Sequence, residues 1–205
     1  MPCLATVGAQ DHDAIAAALE ATGACVLLDF PHVTAGLLLA RDLKRLQAMG
    51  ALRTAAIGQG RQHQQHSDVR GDSTLWLDDP RCGQVAAHYL QHLHTLRTQL
   101  NRRLFLGLDE DEAHYACYPP GTSYQRHRDS FQHSDSRVLS LVSYLNEDWK
   151  PEHGGRLRLH LESGPVEIAP TVGTGICFLS TIEHEVLPAT RERLSIAAWM
   201  RKRDN

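Results

Sequence analysis

A chain of 205 residues, 42% hydrophobic and 22% charged, carries enough apolar material for a single domain with a sizeable core. Its net charge of -3 gives no electrostatic reason to expect nucleic acid or an anionic membrane as the main partner, and the basic end Arg201-Lys202-Arg203 is too short to change that. No apolar run reaches the length of a membrane span, no leader-like segment opens the chain, and five cysteines without CxxC spacing read as reduced, mostly buried thiols of a cytoplasmic protein.

In chain order, residues 11–20 are predicted as a helix, because Ile15 and Leu19 recur at i,i+4 and Gly23 offers a stop. Residues 24–30 read as a short buried strand bounded by Pro31, and residues 34–49 as a second helix ended by Gly50. The Gln- and His-rich stretch 58–72 predicts a mobile loop. Pro80 opens a long predicted helix to about residue 106, with Val85, Leu93, Leu96, Leu100 and Leu104 on its apolar side. Beyond Leu108 the texture changes to short segments (113–118, 137–145, 156–161, 166–168, 176–179, 193–200) separated by Gly and Pro turns. Several alternate in polarity, as in Arg193, Ser195, Ala197 and Trp199 against Leu194, Ile196, Ala198 and Met200. Helices first and strands later imply an α+β chain whose second half is a β-sandwich or jelly roll.

The chemistry concentrates in that second half. His127 and Asp129, with the distant His184, can hold a metal on one face and leave the other open, a ligand set suited to non-haem Fe(II). Arg193, nine residues past His184, adds a fixed planar cation where an anionic co-substrate can dock. A His-x-Asp triplet alone is weak evidence, since His66-Ser67-Asp68 and His133-Ser134-Asp135 also occur, both in polar surroundings that read as surface. His127 differs in leaving a strand-like, Tyr-rich segment in which positions two apart share a face. His88 and His92 on the long helix, with His94 nearby, have an i,i+4 spacing that can bind zinc, but without an H-E-x-x-H glutamate or an obvious third ligand they read as ordinary helix histidines. A kinase catalytic loop is countered by Ser134 in place of the required asparagine, and a serine hydrolase, lacking a G-x-S-x-G elbow, would need an unmarked serine.

Five segments carry a resemblance. They are Arg70-Gly71-Asp72 through Trp76, Ala116-Cys117-Tyr118 through His127-Arg128-Asp129, Ser143-Tyr144-Leu145 through Trp149, Gly154-Gly155-Arg156-Leu157-Arg158, and His184 through Arg193. In this order they resemble the Fe(II)- and 2-oxoglutarate-dependent dioxygenases, specifically prolyl hydroxylases of the HIF-prolyl-hydroxylase type and their bacterial relatives. The resemblance covers about two thirds of the chain, from residue 70 onward. It implies one domain over 1–205, with a double-stranded β-helix (jelly-roll, cupin-like) core mainly over 111–202 and helical support mainly over 11–106. It further implies Fe(II) held by His127, Asp129 and His184. The 2-oxoglutarate co-substrate would be clamped by Arg193 with Tyr144, Tyr118 and Ser195, and O2 would be the second co-substrate. Tyr124, Arg70 and Trp199 would line the substrate pocket. Because Asp129 is present, hydroxylation of a C–H bond is implied rather than halogenation, with succinate and CO2 released.

The loop between Tyr118 and Tyr124 is one residue shorter than in the animal enzymes of this type. Little chain follows Trp199 to form a helix beside a substrate groove, so the loop over 58–72 is expected to close over a bound peptide. The expected substrate is a prolyl residue of a protein, with a translation factor such as elongation factor Tu as candidate. The competing readings are a hydroxylase of a free amino acid or small metabolite, a non-catalytic metal- and anion-binding jelly-roll sensor, and a cupin-like hydrolase or isomerase that needs neither Arg193 nor O2.

Overall fold

Period-two patterning in the second half resolves into strands, and those strands build two sheets. The computed structural model describes residues 4–54, 70–130 and 136–203. The large sheet runs in the order β1 (Ala5–Gly8), β2 (Ala24–Leu28), β10 (Thr174–Leu179), β7 (Arg137–Tyr144), β12 (Arg193–Arg201), β5 (Glu110–Tyr118), β4 (Ser73–Trp76), β3 (Arg53–Thr54). The small sheet runs β6 (Tyr124–His127), β11 (His184–Val186), β8 (Leu157–Leu161), β9 (Gly164–Ile168). β1 and β2 pair in parallel, whereas the pairs that bear the site are antiparallel. This is the α+β, double-stranded β-helix architecture that the resemblance implies.

The three predicted helices are α1 (His12–Thr22), α2 (Val33–Ala48) and α3 (Gln84–Leu104). The Asp11 carboxylate accepts from the Ala14 N–H at 3.0 Å at the start of α1. α3 begins later than Pro80, because Asp79 and Arg81 close a turn first: the Asp79 carboxylate accepts from both the Arg81 N–H and its guanidinium. α3 ends at Leu104 because Phe105 turns left-handed at φ 51°. The apolar stripes of these helices, including Ile15, Leu39, Leu43, Leu93 and Leu100, pack on Tyr115, Leu139, Ile196 and Met200 of the large sheet. The opposite face of that sheet packs on the small one: Tyr118, Tyr144, Ile176 and Phe178 meet Leu157, Leu159, Ile168 and Val186.

The order "helices first, strands later" needs correction, since β1 to β4 all come from the first half and complete the large sheet. Ser73–Trp76 is too short to show a period by itself and is stabilised by its ladder with β5. Of the predicted loop, only Arg70, Gly71 and Asp72 lie among the described residues. The expected lid otherwise falls outside them, as do the triplets at 66–68 and 133–135. His88, His92 and His94 are exposed on α3. Cys25 lies opposite Cys177 in the β2–β10 ladder, and both thiols are free. Among the described residues, no helix is long and apolar enough to cross a membrane.

Candidate active site

Strand alternation decides which side chains meet. On β12 the set Arg193, Ser195, Ala197 and Trp199 lines a cavity of about 490 Å³, while Leu194, Ile196 and Met200 face the helices. On β5, Glu112, His114, Ala116 and Tyr118 line the same cavity, and on β7 Ser140 and Val142 do. The small sheet contributes His127, Leu157, His184 and Val186.

Within this cavity, His127 and His184 stand directly opposite each other in the β6–β11 pair. Asp129 follows β6 in a turn whose backbone N–H donates to the Ser180 carbonyl at 3.1 Å. Its Oδ1 lies 3.6 Å from His127 Nε2 and its Oδ2 3.6 Å from His184 Nε2. One donor atom from each of the three residues falls within 4.8 Å of the others. The His127 Nδ1 is 2.7 Å from the Gln125 carbonyl and the His184 Nδ1 3.1 Å from the Ile182 carbonyl. A protonated Nδ1 donating to each carbonyl leaves both Nε2 lone pairs free for a metal.

Electrostatics fit the same role. Burial works against ionisation of Asp129, but His184, His127 and the Ser140 hydroxyl outweigh it and hold the carboxyl well below the usual carboxylate range. The Ser140 hydroxyl donates to Asp129 Oδ2 at 2.7 Å and contacts the Ser180 hydroxyl at 2.9 Å. Burial lowers the pKa of His184, with Asp129 pulling the other way, and so favours the unprotonated Nε2 that a metal ligand must present. Two imidazole nitrogens and one carboxylate form a donor set suited to Fe(II).

Arg193 is a second feature of the cavity wall. Arg193 is buried, its Nε donating to the Gly155 carbonyl at 2.9 Å and its Nη1 to the Ser195 hydroxyl at 3.0 Å. Its Nη2 has no hydrogen-bond partner, and neither has the buried Tyr144 hydroxyl. The guanidinium carbon lies 5.4 Å from the Tyr144 ring centre and 5.2 Å from that of Tyr118, the residue opposite Arg193 in the ladder. Burial pushes the Tyr144 phenol up, with Arg193 pulling the other way, so its hydroxyl stays a donor. Two orphaned buried donors side by side are costly unless an anion satisfies them, and a carboxylate presents the matching pair of oxygens.

Three comparisons bear on this geometry. Residues 113–201 match the model of the 2OG-Fe(II) oxygenase superfamily. The chain is 30% identical to human prolyl hydroxylase EGLN3 over 190 residues, covering 88% of this chain and 79% of that protein. The chain belongs to the 2OG-Fe(II) oxygenase superfamily. A crystal structure of a Pseudomonas putida prolyl-4-hydroxylase superposes on this oxygenase with a TM-score of 0.85 at 37% identity, covering 94% of this chain and all of that one. A Trichoplax adhaerens prolyl hydroxylase, solved with a hypoxia inducible factor oxygen degradation domain peptide fragment, superposes at 0.84 with 26% identity, over 95% and 90% of the two chains. The oxygenase is thus a 2-oxoglutarate-dependent dioxygenase of the HIF-prolyl-hydroxylase-like kind, and its cofactors are Fe(II), 2-oxoglutarate and O2.

The remaining sequence-predicted residues also reach the cavity. The Tyr124 ring stacks on His127 with centres 3.7 Å apart, and Trp199 carries the Arg137 guanidinium 3.7 Å from its ring centre. Arg70 lines the wall but turns its Nε and Nη2 onto the Asp72 carboxylate. Ser195 meets Arg193 as an acceptor that orients it.

Sequence reasoning missed Ser140, Ser180 and the carbonyl of Gly155. Ser140 shares a strand face with Tyr144, which is a usable signal, whereas Ser180 and Gly155 become partners only through the fold. Gly155 itself sits at φ 66°, and a Cβ there would lie 2.9 Å from Ala189 Cβ, 3.0 Å from Trp149 Cζ2 and 3.4 Å from Arg193 Cδ. Gly155→Ala is therefore expected to destabilise the protein by about 1–3 kcal/mol and to displace the Arg193 side chain. Urea denaturation should show the first effect, and a raised Kd for 2-oxoglutarate in calorimetry the second.

Proposed function

We propose that this oxygenase hydroxylates a prolyl residue in a protein or peptide, releasing succinate and CO2 as 2-oxoglutarate is consumed. The observation that carries this reading is the juxtaposition of the His127–Asp129–His184 cluster with the buried Arg193 guanidinium in one cavity, its Nη2 left without a partner and the Tyr144 ring centre 5.4 Å away. The prolyl-hydroxylase names of the curated and structural relatives support the substrate class. Bound together, Fe(II), 2-oxoglutarate and O2 supply the oxidising power to hydroxylate an unactivated C–H bond.

The chain's own part is binding and orientation. His127, Asp129 and His184 would hold the metal from one side, with Ser140 fixing the carboxylate. Arg193 and Tyr144 would take the distal carboxylate of 2-oxoglutarate, while Gly155 and Ser195 keep the guanidinium planar to it. Trp199, Tyr124 and Arg70 would shape the wall against which the substrate lies. Elongation factor Tu is the candidate protein substrate. A cytoplasmic setting suits an Fe(II) enzyme, and the free thiols of Cys25, Cys82, Cys117 and Cys177 support it.

The test is turnover of 2-oxoglutarate with elongation factor Tu and with proline-containing peptides, read by mass spectrometry. A gain of one oxygen atom on a proline, dependent on Fe(II), 2-oxoglutarate and O2, is the expected result. Turnover stimulated by free amino acids and by no polypeptide would replace this reading with the small-metabolite one.

A further inference from the structure

The Arg70-Gly71-Asp72 segment is docked against the strand that carries His127. Arg70 forms an isolated antiparallel bridge with Tyr124, and the Gly71 N–H donates to the Ser123 carbonyl at 3.0 Å. A Cβ on Gly71 would fall 2.6 Å from Thr122 Cβ, so the close approach depends on glycine. From this anchored backbone the Arg70 side chain turns inward. Its Nε donates to Asp72 Oδ1 at 2.7 Å and its Nη2 to Asp72 Oδ2 at 3.0 Å, with Asp72 buried. The same Nη2 lies 3.3 Å from Nε2 of His114 on β5.

His114 has one arrangement compatible with these neighbours. Its Nδ1 is 3.0 Å from the Tyr115 carbonyl and can only donate there, so Nε2 must accept from Arg70. A protonated ring would set N–H against N–H. Burial first, and Arg70 second, push its pKa down to about 4, so the ring is neutral near pH 7. Trp76 and Trp199 hold the ring from two sides, at 5.4 and 5.2 Å between centres. Beyond Arg70 the contacts continue: its guanidinium carbon lies 4.8 Å from the Tyr124 ring centre, and Tyr124 lies on His127 at an interplanar angle of 17°.

We propose that His114 is a positioning residue for the metal centre, fixing the Arg70 guanidinium so that it presses Tyr124 onto His127 and keeps that ligand's Nε2 aimed at the metal. The inference rests on the reading of His127 as a ligand. Nothing in the sequence around His114 signals the role, since its side-chain partners come from β4, β12 and the 70–72 segment.

Mn(II) affinity of the purified protein, read from the electron paramagnetic resonance signal of free Mn(II), tests the idea without turnover. His114→Leu removes the acceptor and is expected to weaken Mn(II) binding about tenfold, the scale on which partners of metal ligands act. His114→Gln, whose amide oxygen can replace Nε2 as acceptor, is expected to recover most of that affinity. In a double-mutant cycle, His114→Leu should add nothing once Tyr124→Leu has removed the stacked ring. Should the leucine variant fail to fold, His114→Asn, too short to reach Arg70, replaces it. Wild-type affinity in His114→Leu, whatever its thermal midpoint, would overturn the proposal, as would equal losses in the leucine and glutamine variants. Wild-type protein that bound no Mn(II) would overturn the metal centre itself, a result distinct from either.

Discussion

Arg193→Lys is expected to leave metal affinity unchanged and to weaken 2-oxoglutarate binding about 100-fold, or about 2.7 kcal/mol. The guanidinium is held at two of its nitrogens, by Gly155 and Ser195, and this fixes the direction in which the free Nη2 points. A lysine ammonium is a compact charge without a fork, and it would be drawn to the same carbonyl and hydroxyl instead of the ligand. The ammonium would keep its charge, so some affinity survives. Calorimetric titration of 2-oxoglutarate into Mn(II)-loaded protein without oxygen measures the change directly. An unaltered Kd would remove Arg193 from the co-substrate site.

Asp129→Ala is expected to reduce Mn(II) affinity by more than the roughly 100-fold that loss of a supporting partner can cost. The carboxylate is the sole anion of the three-residue cluster, and of the three it alone would offset the dication's charge. The carboxyl is held below the usual carboxylate range despite burial, and the Ser140 hydroxyl donates to it at 2.7 Å. Asp129→Asn keeps the shape but loses the charge, and should fall between wild type and alanine. Both variants are expected to fold, since the Ser140 hydroxyl retains Ser180 as a neighbour at 2.9 Å. Circular dichroism would establish folding, and resonance of free Mn(II) the affinity. Undiminished binding in the alanine variant would show that the metal, if bound, sits elsewhere.

Much of this was legible in the chain because local physics carries it. The apolar stripes of α1 to α3 follow the helical period, so those helices could be placed to within a few residues. Alternation along β12 separated Arg193, Ser195 and Trp199 from Leu194, Ile196 and Met200 before any fold was known. Errors arose where a neighbour outweighs local preference. Pro80 failed to start α3 because the Asp79–Arg81 contacts close a turn there, and β4 exists because β5 offers it a ladder.

The sequence by itself determined the ligand types, their order and the arginine nine residues beyond His184, because residue identity and spacing are properties of the chain. Only the tertiary structure decided that His127 and His184 face each other, since that depends on the β6–β11 register, in which a slip of one residue would turn one imidazole away. It likewise decided that Asp129 meets Ser140, that Arg193 rests on the Gly155 carbonyl, and that His114 reaches Arg70. Each of these contacts joins segments brought together by strand pairing and turn geometry, and periodicity, which can assign a residue such as Ser140 to a face, does not say which distant residue it meets there.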